Sequence, residues 1–202
     1  MKPFAFAAAV ALAAAPAAAI HAQAADPGVT QIQALDASLL EMMKQGKSLG
    51  AEGRARKITP ALEQAYDLPT MTRIAVGLKW AGLAPADQTA LIQAFTRMTA
   101  ANYAHNFDSY SGERFEVDPT VQTRGPDKLV RAHIVSGGKT TDLTYRMRQA
   151  SDGRWKIFDV YYNGSISELT TRRSDFSAAI DSGGAPVLLK KIQALTDKLL
   201  NS

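Results

Sequence analysis

The sequence predicts an α+β fold, an antiparallel sheet flanked along the chain by helices. Three observations predict it. From Val29 to Phe107 apolar residues recur at spacings of three and four, from Arg114 to Asn163 the period falls to two, and beyond Ser165 helical spacing returns.

Residues 1–24 precede this pattern and read as a secretory signal peptide. Lys2 is followed by an uncharged run from Phe4 to Ile20 and a small-x-small site at Ala22, Gln23 and Ala24. The run of about 17 residues is rich in alanine and barely reaches bilayer-spanning length, so an uncleaved anchor is the weaker alternative. Residues 25–202 are then expected to form one exported domain with room for a single core.

The chain has no cysteine, which removes disulfides, thiol nucleophiles and thiolate metal sites. Its formal charge of +4 is scattered, without the basic stripe of a nucleic-acid protein. Arg54, Arg56 and Lys57 form the densest cationic cluster and Arg172-Arg173 a smaller one. Both are candidates for partner docking or for weak attraction to anionic lipid.

The first helix, Val29 to Gln45, carries Ile32, Leu35, Leu39, Met42 and Met43 on one stripe, and Gly46 and Gly50 are expected to close it. Thr59-Pro60 reads as a cap and first-turn pair that opens a short helix through Tyr66. Asp67 and Pro69 restart the chain into a helix over Thr70 to Leu78, with Met71, Ile74 and Leu78 on one face. After Trp80 and Gly82, Pro85 opens a long helix in which Leu91, Phe95, Met98, Asn102 and His105 follow at helical spacing.

Arg114 to Val117, Leu129 to Val135, Thr140 to Ala150 and Trp155 to Asn163 are the strand candidates. Taking Gly137-Gly138 and Asp152-Gly153 as two-residue turns sets the register. Val130 then faces Tyr145, Ala132 faces Leu143, Ile134 faces Thr141, Met147 faces Phe158, Tyr145 faces Val160 and Leu143 faces Tyr162. All of these except Thr141 form a single apolar face, which a one-residue slip would scatter. On the opposite face His133 meets Asp142, and Arg146 meets Asp159 in an expected structural ion pair. Ser165 with Glu168 reads as a capping box for the next helix, Gly183-Gly184 stops it, and Pro186 opens the last one, striped by Leu188, Ile192, Leu195 and Leu199.

Chemistry is scarce. His105 and His133, the histidines outside the leader, have no partners at ligand spacing, so no metal site and no cofactor are expected. There is no G-x-S-x-G elbow and no phosphate loop. His133 beside Asp142 could act as a base with its orienting group, but both point away from the apolar face.

Five stretches carry a resemblance: MTRIAVGLKW, then DQTALIQAF with NYAHNFDSYSG, then LTYRMRQASDGRWKIFDVYYNGSIS, then TRRSDFSAAIDSGGAPVLLKKI. In this order they resemble the MlaC family of periplasmic phospholipid carriers, also called toluene-tolerance auxiliary proteins, from about Gln45 to Leu199. The resemblance implies a curved sheet packed against helices in an NTF2-like cone, with acyl chains held between the two layers. It implies no catalysis, a periplasmic location, and exchange of cargo between an inner-membrane ABC transporter lipid-transfer complex and an outer-membrane lipoprotein complex.

The residues expected to meet cargo are Val130, Ile134, Leu143, Tyr145, Met147, Phe158, Val160 and Tyr162 on the sheet, with Met71, Ile74, Leu78, Phe95 and Tyr103 on the helices. The hydrophilic stretch SLGAEGRARK and the pair Thr170-Thr171 depart from the best-studied members. They leave open the hopanoid-associated HpnM branch, whose cargo would be a rigid triterpenoid. Two other readings are a small cone-fold enzyme using His133, Asp142 or Asp159, and an envelope protein with a filled core and no cargo.

Overall fold

The computed structural model describes residues 25–202; the expected leader, 1–24, lies outside them. Four helices precede a six-stranded antiparallel sheet, and a long broken helix follows it. Helix α1 (Pro27–Lys44) starts at Asp26, whose carboxylate accepts from the Gly28 amide at 2.8 Å. Lys128 of the sheet reaches the other Asp26 oxygen at 2.5 Å and lies over the Trp155 ring, tying the helix start to the sheet. The stripe from Ile32 to Met43 is buried.

The second helix corrects the sequence reading. Helix α2 (Gly46–Ala65) starts at Gly46, bends at Gly50, where φ is +62°, and runs through Pro60. Thr59 is no cap; its hydroxyl donates back to the Ala55 carbonyl at 2.8 Å. Proline inside a helix forfeits one backbone bond, but the buried stripe of Ala55, Ile58 and Leu62 continues across it and holds the helix together. Arg54, read as a docking cation, is buried. Its guanidinium donates to the carbonyls of Ala104 (2.8 Å) and Gly46 (3.0 Å), stitching the start of α2 to the end of α4 (Pro85–Asn106).

Helix α3 (Leu68–Val76) is capped by Asp67, which accepts from the Thr70 amide at 3.0 Å. It ends at Gly77, where φ is +76°, and a 3₁₀ turn, Gly77–Gly82, leads on to α4. Leu78 therefore leaves the face it was expected to share with Met71 and Ile74, and is 93% exposed. Helix α4 buries Leu91, Phe95 and Met98, and Phe95 meets Phe176 of α5 (Glu168–Leu200) edge-on at 6.2 Å. The break in α5 falls at Gly183 and Gly184, as the glycine pair implied. Its cap, however, is Ser167, not Ser165, with the Ser167 hydroxyl accepting from the Thr170 amide at 3.0 Å.

The strands are β1 (Arg114–Val117), β2 (Gln122–Arg124), β3 (Asp127–Ser136), β4 (Lys139–Gln149), β5 (Trp155–Tyr162) and β6 (Ile166–Ser167), in the order β1-β3-β4-β5-β6, with β2 also on β3. The all-polar β2 and two-residue β6 are too short and patternless to have been read from sequence. The β3–β4 pairing follows the expected register through Gly137 and Gly138, whose φ values of +55° and +77° suit a primed turn.

The β4–β5 hairpin differs at its turn. Ala150 and Arg154 are bonded to each other at 2.8 Å, so the loop is Ser151-Asp152-Gly153, one residue longer than expected. Met147 consequently faces Ile157, and a bulge then restores Arg146 opposite Asp159, Tyr145 opposite Val160 and Leu143 opposite Tyr162. Ile157 takes the core position assigned to Phe158. The Phe158 ring lies instead against the guanidinium groups of Arg146 and Arg148, at 5.0 and 4.9 Å.

The expected ion pair between Arg146 and Asp159 gives way to other partners. Arg146 and Arg148 both bind Asp127, each at 2.6 Å. Asp159 accepts from the amides of Val160 (2.9 Å) and Leu169 (3.1 Å) and from the Ser167 hydroxyl (2.8 Å). It therefore anchors the first turn of α5 to the sheet, where helix amides lack internal acceptors.

Candidate functional site

The inner face of the sheet presents Val130, Ala132, Leu143, Tyr145, Met147, Ile157 and Val160, all buried beneath helices. A narrow crevice lies between this face and the helices. Val160 and Tyr162 form its sheet wall, Met71, Phe95, Met98 and Tyr103 its helix wall, Tyr66 closes it, and Thr99, Asn102, Glu168 and Arg172 make a polar border. Its volume is about 30 Å³, about one water molecule's share of the liquid. The layers are closed upon each other.

Arg172 Nη2 stands 2.8 Å from Glu168 one turn earlier on α5, and both are largely covered. The hydroxyls of Tyr66 and Tyr103 are hydrogen-bonded, and Tyr103 stacks on Phe107 at 5.7 Å. Burial, reinforced by neighbouring tyrosines, holds the Tyr66, Tyr103 and Tyr145 pKa values above their ordinary range. They are neutral hydroxyls around an apolar space.

One acidic group enters this interior. Asp36 on α1 is 6% exposed, and neither of its oxygens has a hydrogen-bond partner. Burial pushes its pKa up to about 7. Its charge is felt by Tyr103 and Tyr145. Sequence reasoning missed it, although the signal was there: Asp36 follows Ile32 by four and precedes Leu39 by three, inside the apolar stripe.

Of the residues expected to meet cargo, Met71, Phe95, Tyr103, Val160 and Tyr162 border the crevice. Val130, Leu143, Tyr145 and Met147 are buried in the core, and Ile134 packs against its edge. Ile74 and Phe158 border a separate outer hollow of about 550 Å³, with Arg73, Arg148 and Lys156. A surface groove of about 710 Å³ between α2 and α4 is lined by Ala55, Thr59, Ile92 and Ala100 among charged neighbours.

His133 Nδ1 is 2.8 Å from Asp142 and its Nε2 is 3.7 Å from Asp118, on the opposite face of the sheet from the crevice. Among the described residues no group of His, Cys, Asp and Glu could hold a metal ion. No described helix is long and apolar enough to cross a membrane.

Comparison with known proteins accords with this architecture. The MlaC protein family matches residues 33–194. Among solved structures, a phospholipid-binding protein from Ralstonia solanacearum, in complex with a phospholipid, superposes with a TM-score of 0.71. It is 20% identical, and the match covers 85% of this chain and 98% of that one. No curated protein matches the chain significantly.

Proposed function

Because the chain belongs to the MlaC family, we propose that it is a periplasmic carrier that holds a phospholipid by its acyl chains between sheet and helices. The observation that carries this reading is the crevice itself, an apolar space with a polar border in a fold whose relative was solved with phospholipid. Each buried methylene is worth about 0.8 kcal/mol, so a chain of ordinary length gives up roughly 10 kcal/mol on leaving a bilayer. A carrier must offer an interior as dry as the one the lipid left.

A crevice of about 30 Å³ must widen toward the several hundred Å³ usual for ligand pockets, on the order of 300 Å³ or more. Helix α5, broken at Gly183 and Gly184, and the short α3 are the elements best suited to move. Cargo would first touch Met71, Phe95, Tyr103, Val160 and Tyr162, and widening would bring it to Ile134, Leu143, Tyr145, Met147 and Val130. Ile74, Leu78 and Phe158 fall outside this lining. Thr99, Asn102 and Arg172 would meet the headgroup, with Arg172 exchanging Glu168 for phosphate.

In this reading the chain performs no catalysis, and cargo passes between an inner-membrane ABC transporter lipid-transfer complex and an outer-membrane lipoprotein complex. Native mass spectrometry of protein prepared without detergent, followed by solvent extraction, tests it. The expected result is a mass excess of one phospholipid. A hopanoid released instead would assign a rigid triterpenoid cargo. Folded protein with no adduct and no uptake from labelled vesicles would overturn the carrier reading.

A further inference from the structure

Helix α1 buries Ile32, Leu35, Leu39, Met42 and Met43, and Asp36 is enclosed with them at 6% exposure. Both of its carboxylate oxygens lack a hydrogen-bond partner, and among the described residues no other buried side-chain oxygen or nitrogen is left so. A leucine would fill this position without that cost. The acid needs a reason outside the packing of the closed protein.

The elements packed against α1 are α2, β1, β3 and β5, and none offers a counter-charge. In α2, Arg54 is bound to two carbonyls and Lys57 to the exposed Glu41. In the sheet, Arg114 and Glu116 of β1 pair with each other, Lys128 of β3 is held by Asp26, and Asp127 and His133 are paired on the outer face. On β5, Lys156 donates to the Glu63 carbonyl and Asp159 is taken by amides. Burial alone displaces the Asp36 pKa, to about 7.

What faces Asp36 inside is a set of hydroxyls. Its charge is felt by Tyr103 of α4 and Tyr145 of β4; both also feel Tyr162 of β5, and Tyr103 is bonded to Tyr66. Glu168, which acts on Tyr103 too, is held by Arg172. These tyrosines locate the acid beside the cargo space. Tyr103 lines the crevice of about 30 Å³, and Tyr145 lies in the layer that widening would reach. A space that size holds about one water, too few to hydrate a carboxylate. Opening to roughly 300 Å³ or more removes that restriction.

We propose that Asp36 is a proton-operated latch on the cargo space: protonated, it lets sheet and helices close, and on giving its proton to water it favours the opened form that exchanges lipid. This rests on the lipid-carrier reading and adds what regulates its opening. In water the opened carboxyl has its ordinary pKa of about 3.9. The ratio of open to closed protein therefore climbs with pH, by up to about ten-fold per unit, and levels off above about 7.

The absence of cysteine makes Met98→Cys a unique thiol on the helix wall of the crevice. Its reaction with a soluble thiosulfonate reagent, in protein stripped of lipid, reads the opening. Because the thiol itself ionises with pH, each rate is divided by that of Met98→Cys with Asp36→Asn, which has the shape of the protonated acid and no proton to lose. The quotient should rise more than ten-fold from pH 5 to pH 7 and then flatten. Low urea should hardly accelerate the reaction, since local opening exposes little surface. A quotient that is flat with pH, or a reaction with the urea dependence of global unfolding, overturns the latch. Phospholipid extracted from unstripped samples separates the two readings: bound lipid with a flat quotient removes only the latch, and a rising quotient without lipid removes only the carrier.

Discussion

Asp127 and Asp36 are both nearly sealed from water, at 1% and 6% exposure, but their surroundings are opposite. Asp127 lies on the outer face of the sheet between Arg146 and Arg148. Burial pushes its pKa up, hydrogen bonds and charge from the two arginines push it down, and the net result is below the ordinary carboxylate value. Asp36 lies on the helix side with no partner, and burial alone raises its pKa to about 7. Charge is thus a fastening on one side of the sheet and a cost on the other. The costly side is the one that the proposed carrier would open for its cargo.

The largest effect is expected at Asp36. In the closed protein it keeps its proton at pH values where the unfolded chain, at its ordinary pKa of about 3.9, has released it. Stability is therefore lost as pH rises from that value through about 7. The displacement of about three units corresponds to about 4 kcal/mol. Asp36→Leu should raise stability at pH 8 by up to about 4 kcal/mol, or roughly 10 °C in Tm, with the gain shrinking toward acid. A melting series from pH 5 to pH 8 without that trend would mean that Asp36 finds a partner in solution.

Asp127 should behave in the reverse sense. Its folded pKa is lowered, so its contribution is present above the unfolded value of about 3.9 and lost as pH falls through the folded one. Asp127→Ala should cost about 3 kcal/mol at pH 7, because two guanidinium groups lose their shared acceptor. Denaturant unfolding measures this directly. A loss under about 1 kcal/mol would show that solvent compensates the half-exposed arginines.

The smallest effect is expected at Asp159, the other buried carboxylate with partners. Asp159→Ala should cost about 2 kcal/mol by freeing the α5 start from the sheet, while extracted lipid per folded protein stays the same. Normal stability with lost cargo would move Asp159 from the frame of the protein into its binding function.

The two long hairpins show how far the fold was legible. At Gly137-Gly138 the backbone angles that glycine alone adopts easily set a two-residue turn, and the β3–β4 register followed residue by residue. At Asp152-Gly153 the same reasoning placed the turn correctly but counted its loop one residue short. The bulge hid the error beyond Arg146, so Val160 and Tyr162 were correctly placed on the inner face and Phe158 was not. Helix α2 was missed as a continuous element because Pro60 is a strong local stop, and only the packing of Ile58 and Leu62 against the core reveals why the helix persists.

Periodicity, glycine sterics and proline by themselves determined the α+β class, the order of elements, the apolar inner face and most of the crevice walls, because each depends on interactions within a few residues. The pairing of charges was decided only in three dimensions. Arg146 could have met Asp159 across the hairpin but meets Asp127, and Asp36 could have been solvated but is enclosed. Such choices depend on which long side chains converge after the layers close, and the desolvation that makes them costly or favourable exists only once that closure has occurred.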